Sequence, residues 1–275
     1  MSKNRTSVLA QIFRFQISVF TFHLSPFTSN IVWPFSKKTT IAASGILQGA
    51  VDHHSHILPG VDDGVETMDE ALRILATYEA MGIKELWLTP HIMEDIPNTP
   101  QKLAARFEEL KAAYKGNITL HLAAEYMIDN NLHKLLKARE GVAPNSFLPI
   151  GTAGKHILVE TSYFNPPMRF KETLQQIKSL GYYPLLAHPE RYMYMDNDEY
   201  RRLREEGVKF QLNLVSLAGG YGAVVRKKAL WLLTNGLYSV AGSDLHSEDA
   251  IGFITKCRLS KHNIEQVTTL LQNKL

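Results

Sequence analysis

Residues 52–64 read DHHSHILPGVDDG and put two imidazoles two positions apart, at His54 and His56. Side chains on a strand repeat every second residue, so both rings fall on one face and can converge on one cation. His53 points away from them. Pro59 and Gly60 turn the chain out of the strand, and Asp62 and Asp63 then bring hard oxygen donors beside the nitrogens. That mixture suits a divalent metal used for catalysis. Taken alone, a His-x-His pair fits two satisfied core histidines equally well, so the rest of the chain has to decide.

The other chemistry-bearing residues recur at one kind of place. His91 follows ELWLTP, Glu125 follows LHLAA, Glu160 follows ILV, His188 follows PLLA, and Asp244 and His246 lie in AGSDLH. Each apolar run reads as a strand, and strands are expected near 50–57, 85–90, 118–125, 156–161, 183–188, 209–216 and 237–243. Between them, Leu72, Leu75, Ala76 and Tyr78 mark a helix over 68–81, and Leu103, Phe107, Leu110 and Tyr114 mark one over 100–114. Further helices fit 131–138, 170–180, 198–206, 221–234 and 261–273. Such alternation predicts parallel strands with helical crossovers. Every candidate donor then falls at a C-terminal strand end, the face on which parallel barrels build their active sites. Carboxylates after such apolar runs are costly to bury unless paired or metal-bound, which favours a joint metal site. His23, His121, His133, His156 and His262 fit no such pattern and read as structural.

Composition narrows the chemistry. The 275 residues suffice for one large α/β domain or two small ones. A single cysteine, Cys257, excludes an intrachain disulfide and a cysteine-rich zinc site, so any metal must use His and carboxylates. Cys257 lies outside every motif and reads as a buried thiol. The net charge of +3 is unevenly spread: residues 1–45 carry five basic side chains and no acid, leaving 25 basic against 27 acidic residues beyond. No basic stripe marks the body, so no nucleic-acid partner is expected. The apolar run FQISVFTFHL at 15–24 is too short to span a bilayer, so no stable membrane insertion is expected. Residues 1–45 are expected to be a leader, disordered or an overextended start, whose removal leaves the domain over 46–275 intact.

The motifs DHHSHILPGVDDG at 52–64, TPH at 89–91, AEY at 124–126, VE at 159–160, AHPERY at 187–192 and GSDLH at 242–246 carry a resemblance over about residues 50–255. In order and type they resemble the PHP superfamily (polymerase and histidinol phosphatase), and more narrowly its manganese-dependent bacterial tyrosine-protein phosphatases of the CpsB/YwqE type. The resemblance implies a distorted seven-stranded β/α barrel, TIM-like, with three metal ions at the C-terminal strand ends. It assigns His54, His56, Glu125 and Asp244 to the first metal and Asp63, His91 and His246 to the second. Glu125 would bridge to a third, held with Glu160 and His188. Mn²⁺ is the implied metal, and the donor set also suits Fe²⁺ or Zn²⁺.

The implied chemistry is hydrolysis of a phosphomonoester by a metal-activated hydroxide, with no protein nucleophile. Arg191, Asp63 and His246 are the side chains expected to take part in it. Arg191 offers a planar fork of donors for the phosphate, as the resemblance implies, or a salt bridge to Glu190 or Asp196. One departure stands out: the family often has an arginine shortly after the Asp-x-His motif, where this chain has Ser247, Glu248, Asp249 and Ala250. Tyr163, Phe164, Tyr192, Tyr194 and Tyr221 are candidates for an aromatic rim. The implied partner is a phosphotyrosine protein, the tail of a bacterial tyrosine kinase of capsular or exopolysaccharide synthesis, in the cytoplasm; an oligomer is compatible with the sequence. Two other readings remain at this point, a phosphoesterase for a small metabolite such as histidinol phosphate and a metal-binding regulatory module with little catalysis.

Overall fold

Apolar runs too short for helices pair side by side, and the amphipathic segments between them cover the resulting sheet. The computed structural model describes residues 37–138 and 147–275. The apolar run at 15–24 lies outside them. A six-stranded parallel ladder runs His91–Ile92, Glu125–Met127, His156–Glu160, Tyr183–Ala187, Lys209–Asn213, Val240–Gly242. A three-stranded parallel ladder joins Val51–Asp52, Glu85–Leu88 and Thr119–Leu122. The two ladders are continuous along the chain: Ala123 N donates to Leu88 O at 2.8 Å and Glu125 N to Pro90 O at 3.2 Å, across breaks at 89–90 and 123–124. Pro90 lacks the N–H that the ladder needs there.

The sheet curls until its two ends meet. His53 N donates to Ala241 O at 3.3 Å, Asp244 N to His54 O at 2.8 Å and His56 N to Leu245 O at 2.9 Å, and Ser55 bridges Leu245. The fold is therefore α/β with a curled parallel sheet. Inside the curl sits a small apolar cluster that includes Trp87, Ala123, Leu158, Leu185, Ala187 and Val240. Outside it, the main core lies between the sheet and the helices. Two-residue alternation sets the site on this inner face: Ala123 is followed in phase by Glu125, Leu158 by Glu160, and Trp87 by His91 two steps on. The lower part of the curl is thus filled by hydrocarbon and its upper end by donors.

The helices start and stop where side-chain chemistry dictates. Thr67 caps Met68–Met81 by accepting from Glu70 N, and Gly82 ends it in the left-handed conformation with φ 91°. Its buried face is Ala71, Ile74, Leu75 and Tyr78; Ala76, expected on that face, is exposed. Thr99 caps Pro100–Ala113, where the proline takes the first turn and needs no hydrogen-bond partner.

Two local expectations are corrected and one helix is added. The strand expected to run through 209–216 ends at Asn213, whose side chain accepts from Ser216 N at 3.0 Å and starts the helix Leu214–Ala218. A helix over Asp249–Lys256, for which no expectation was made, follows the last donor. Finally, packing begins before residue 46: Thr39–Thr40 pairs antiparallel with Arg258–Leu259, and the short helix Ile41–Ser44 buries Ile41 completely. Removing 1–45 would therefore open the core. Ile41→Ala is expected to lower unfolding stability by about 2–5 kcal/mol, measured by urea titration; an unchanged midpoint would show that this segment is dispensable.

Candidate metal centre

All nine candidate donors converge at the upper end of the curl, from seven turns or strand ends. Among the described residues they form four overlapping groups whose ligand atoms lie within 4.8 Å of one another. These are His56 with Asp63, His91 and His246; His54 with His56 and Glu125; His54 with His188 and Asp244; and His91 with Glu125 and Glu160. The grouping differs from the one implied by resemblance in placing His56 with the Asp63 set and His188 with Asp244. Except for Asp63, whose side chain is 66% exposed, and the half-buried His246, the donors are buried.

Proton placement shows what these groups are shaped for. Gln211 Nε2 donates to His53 O at 2.9 Å, which leaves Gln211 Oε1 to accept from His54 Nδ1 at 2.5 Å. Asp62 Oδ2 accepts from His56 Nδ1 at 2.8 Å and from His91 N at 3.1 Å. Both imidazoles thus carry hydrogen on Nδ1 and turn Nε2 inward, and the two Nε2 atoms are 3.0 Å apart. Glu125 Oε2 stands 3.3 and 3.4 Å from them, and Asp244 Oδ1 the same distances away. Facing lone pairs and two carboxylate oxygens repel unless a positive charge sits among them. The same holds deeper in. His91 Nδ1, Glu125 Oε2 and Glu160 Oε1 are buried without a hydrogen-bond partner, although each oxygen is 3.1 Å from the nitrogen. Buried atoms orphaned in this way fit a cation. The residues present therefore fit the implied metals.

The backbone is bent to bring donors inward. His188 follows Ala187 and would by alternation face the helices, yet it reaches the site with φ 34°, and Asp244 takes φ 53°. A non-glycine residue in this region costs on the order of 1–3 kcal/mol, and both of these are donors. Gly242 permits a close approach: a Cβ there would lie 2.4 Å from His54 Cβ and 2.8 Å from His54 N.

The electrostatics follow from burial and crowding. Burial alone would push the His54 imidazolium down, but the carboxylates of Glu125 and Asp244 outweigh it and hold His54 at about 9. Burial disfavours the charged Glu125 as well, yet the charge of His54 and the hydrogen bond from His188 keep its carboxyl well below the usual range. Asp244 is likewise lowered, its burial overcome by His54, His56 and His188. His246 shifts the other way, pushed down by burial and by His56. Its Nδ1 donates to Asp244 O at 3.0 Å, which turns Nε2 toward Asp63.

Arg191 stands beside the donors at the wall of a cavity of about 580 Å³. Its guanidinium lies 4.2 Å from the Tyr163 ring centroid and 4.1 Å from that of Tyr221. Nη1 donates to Asp244 Oδ2 at 2.9 Å and Nη2 to the Tyr163 hydroxyl. The expected alternative pairings are absent: Glu190 accepts from Asn213 N and the Tyr238 hydroxyl, and Asp196 caps the helix Asn197–Glu205. Of the five aromatics expected at the rim, Tyr163, Phe164 and Tyr221 line the cavity. Tyr192 is instead buried and donates to Ala187 O, and Tyr194 pairs with Thr161. Among the described lining residues Arg191 is the one arginine, and Ser247 and Asp249 occupy the wall where a second was implied. Asn213 and Gln211 were not singled out by the sequence: Asn213 Nδ2 donates to Asp244 Oδ2 at 2.6 Å. Both residues lie in phase on the strand Lys209–Asn213, and an amide repeated at that spacing within a buried strand is the signal that could have marked them.

The model of the CpsB/CapC family of capsular polysaccharide synthesis matches residues 50–262. The chain belongs to the CpsB/CapC family. Two of the family's named relatives are the tyrosine-protein phosphatase YwqE of Bacillus subtilis, 28% identical over 217 residues, and the tyrosine-protein phosphatase CpsB of Streptococcus pneumoniae, 28% identical over 212. The first alignment covers 75% of this chain and 81% of YwqE, the second 73% of this chain and 84% of CpsB. A solved structure from the pair YwqE and CpsB, described as metal-dependent tyrosine phosphatases, shares the fold with a TM-score of 0.64 at 24% identity. It covers 74% of this chain and 83% of its own. Among the described residues no helix of this CpsB/CapC protein is long and apolar enough to cross a membrane.

With His54 at about 9, a proton and a metal cation compete for the same lone pair, and loading must release protons at pH 7. The affinity for Mn²⁺ is therefore expected to fall as pH drops from 8 to 6, by about tenfold per unit for each proton displaced. Calorimetric titration in buffers of different ionisation enthalpy measures the release, and a pH-independent affinity would contradict it.

Proposed function

We propose that this protein is a metal-dependent phosphomonoesterase that hydrolyses phosphotyrosine in proteins. The observation that carries this reading is the set of buried, partnerless His and Glu atoms, grouped with Asp63 and Asp244 beside an arginine fork at the wall of one cavity. Family membership and the named activity of the relatives support it. We take the two ladders and the hydrogen bonds between 53–56 and 241–245 as one closed seven-stranded barrel. His54, His56, Asp63, His91, Glu125, Glu160, His188, Asp244 and His246 would hold up to three ions, and the mixed nitrogen and oxygen donors suit Mn²⁺. The substrate we assign is a tyrosine kinase of capsule synthesis, met in the cytoplasm, as the resemblance implies.

Bound there, the cations would supply an activated water at neutral pH and neutralise charge on the phosphoryl oxygens. The chain's own residues do the rest. Tyr163 and Tyr221 pack their rings against the Arg191 guanidinium, and Asp244 and the Tyr163 hydroxyl accept from it, so its fork is oriented before substrate arrives. Asp63 and His246 are the donors nearest the opening and are assigned to the side where the phosphoryl group enters. Phe164, 73% exposed, and Tyr221 offer aromatic surface for a phenyl ring.

The leaving group distinguishes this reading from a metabolite phosphatase. Burial disfavours the His246 imidazolium and pushes the Tyr163 hydroxyl up, so neither is a ready acid for an alkoxide. A phenolate, whose acid has a pKa of about 10, departs without one far more readily. With Mn²⁺ present, phosphotyrosine peptides are expected to be hydrolysed and histidinol phosphate much more slowly. Chelation should abolish both and Mn²⁺ restore them. Full activity in metal-free protein, or a preference for the alkyl ester, would sink the proposal.

Arg191 has two duties, which changes the outcome expected from charge alone. Arg191→Ala should lower kcat on the order of 10²–10³ through lost phosphoryl stabilisation. It should also weaken Mn²⁺ binding, because Asp244 Oδ2 loses one of its two donors. Arg191→Lys should recover only part of kcat, a point charge having no fork. Normal kcat at saturating Mn²⁺ would remove Arg191 from the reaction.

A further inference from the structure

A second cavity, of about 600 Å³, adjoins the first, and its lining includes Arg226, Lys256, Arg258 and Asp249. Asp249 and Phe253 line both cavities, so the two spaces share a wall. That wall is the helix Asp249–Lys256. Residues 249, 253 and 256 are spaced i, i+4 and i+7, which places them along one face, leading from the metal centre to Lys256. Phe253 is 59% exposed on this path. A side chain at Gly252 would meet no atom within 4 Å, so the surface beside the path is open.

The charges at the far end are not used within the fold. Arg226 Nε donates to Leu217 O and Arg258 Nη2 to Lys38 O, both neutral carbonyls. Among the described residues none of Arg226, Lys256 and Arg258 is in an ion pair. Three cations thus face one carboxylate, Asp249, which sits on the shared wall.

We propose that this basic cavity is an extension of the substrate site that binds acidic residues flanking the phosphotyrosine. The proposal rests on the phosphotyrosine reading above. From residue 249 to residue 256 the helix rises about 10 Å, the span of roughly three extended peptide residues. An Asp or Glu about three positions from the phosphotyrosine would then reach Lys256 and its two neighbours, with the intervening side chain over Phe253. The other occupant to consider is the chain's own residues 1–36. They carry three basic side chains and no acid, so charge disfavours them.

The test uses the full chain loaded with Mn²⁺ and four compounds. These are free phosphotyrosine and peptides with one phosphotyrosine and Glu, Gln or Lys three positions to either side. The Glu peptide is expected to show kcat/KM on the order of tenfold above the Gln peptide, with Lys lowest. Raising the salt to about 0.5 M should shrink the difference. Lys256→Glu should abolish it, and so should Arg226→Gln combined with Arg258→Gln, with free phosphotyrosine turned over as before. Lys256 is exposed, so the first variant tests charge without risk to folding. Equal kcat/KM for the Glu and Gln peptides, with phosphotyrosine still hydrolysed, would overturn the basic extension and leave the phosphatase reading standing. Failure to hydrolyse any phosphotyrosine compound would overturn that reading and the extension with it. If the preference appears only after residues 1–36 are removed, the cavity belongs to the chain's own segment, and the proposal is overturned.

Discussion

Two imidazole nitrogens held 3.0 Å apart, with a carboxylate oxygen on either side, cannot rest in a buried site without positive charge between them. Much of the upper end of the sheet is arranged to keep them there. Gln211 and Asp62 fix the two tautomers from behind, so the lone pairs have nowhere to turn. Asp52 ties the strand itself, accepting from His54 N and Ser243 N and taking the Tyr78 hydroxyl. Gly242 yields the space that a side chain would take from His54. The strain at His188 and Asp244 belongs to the same arrangement, because only a distorted strand end turns those side chains to the common centre.

Asp244 joins this centre to the substrate cavity. One of its oxygens faces His54 and His56, and the other accepts from Arg191 and Asn213. Glu190 extends the chain of contacts by accepting from Asn213 N while taking the Tyr238 hydroxyl. A buried carboxyl with two donors is satisfied whether or not anything is bound nearby, which makes it a steady support. The Arg191 fork is thereby set by the same carboxylate that lines the candidate metal centre. A shift of Asp244 would therefore move the Arg191 fork and the candidate donors together.

The donors were legible in the sequence because strand ends and chemical type coincide. A His, Asp or Glu at the end of an apolar run is costly unless it serves something, and six such residues share one direction along the sheet. The residues behind them were less legible. Asp62 was read beside Asp63 as a donor, yet it is Asp62 that is turned inward to His56 and Asp63 that faces the opening. Gln211 looks like an interruption of an apolar strand until its amide is seen between His53 O and His54 Nδ1. The short helix after Asn213 was missed because Leu214 and Val215 continue an apolar run, and only the Asn213 cap decides against strand. Ile41 was missed for the opposite reason, its basic, Ser- and Thr-rich surroundings masking one fully buried side chain.

The seam between the two ends of the sheet has a consequence for how the protein is made. His54 and His56 lie among the early residues of the fold, while Asp244 and His246 lie near its last strand, and backbone hydrogen bonds join the two stretches directly. Contacts so far apart in sequence close slowly, because nearly 190 residues of loop must be ordered first. On the ribosome, a chain that has emerged only as far as Ser239 has most of its hydrocarbon core but neither Asp244 nor His246 beside its first histidines. The nascent domain can therefore collapse well before residues 244–246 complete the group of candidate donors.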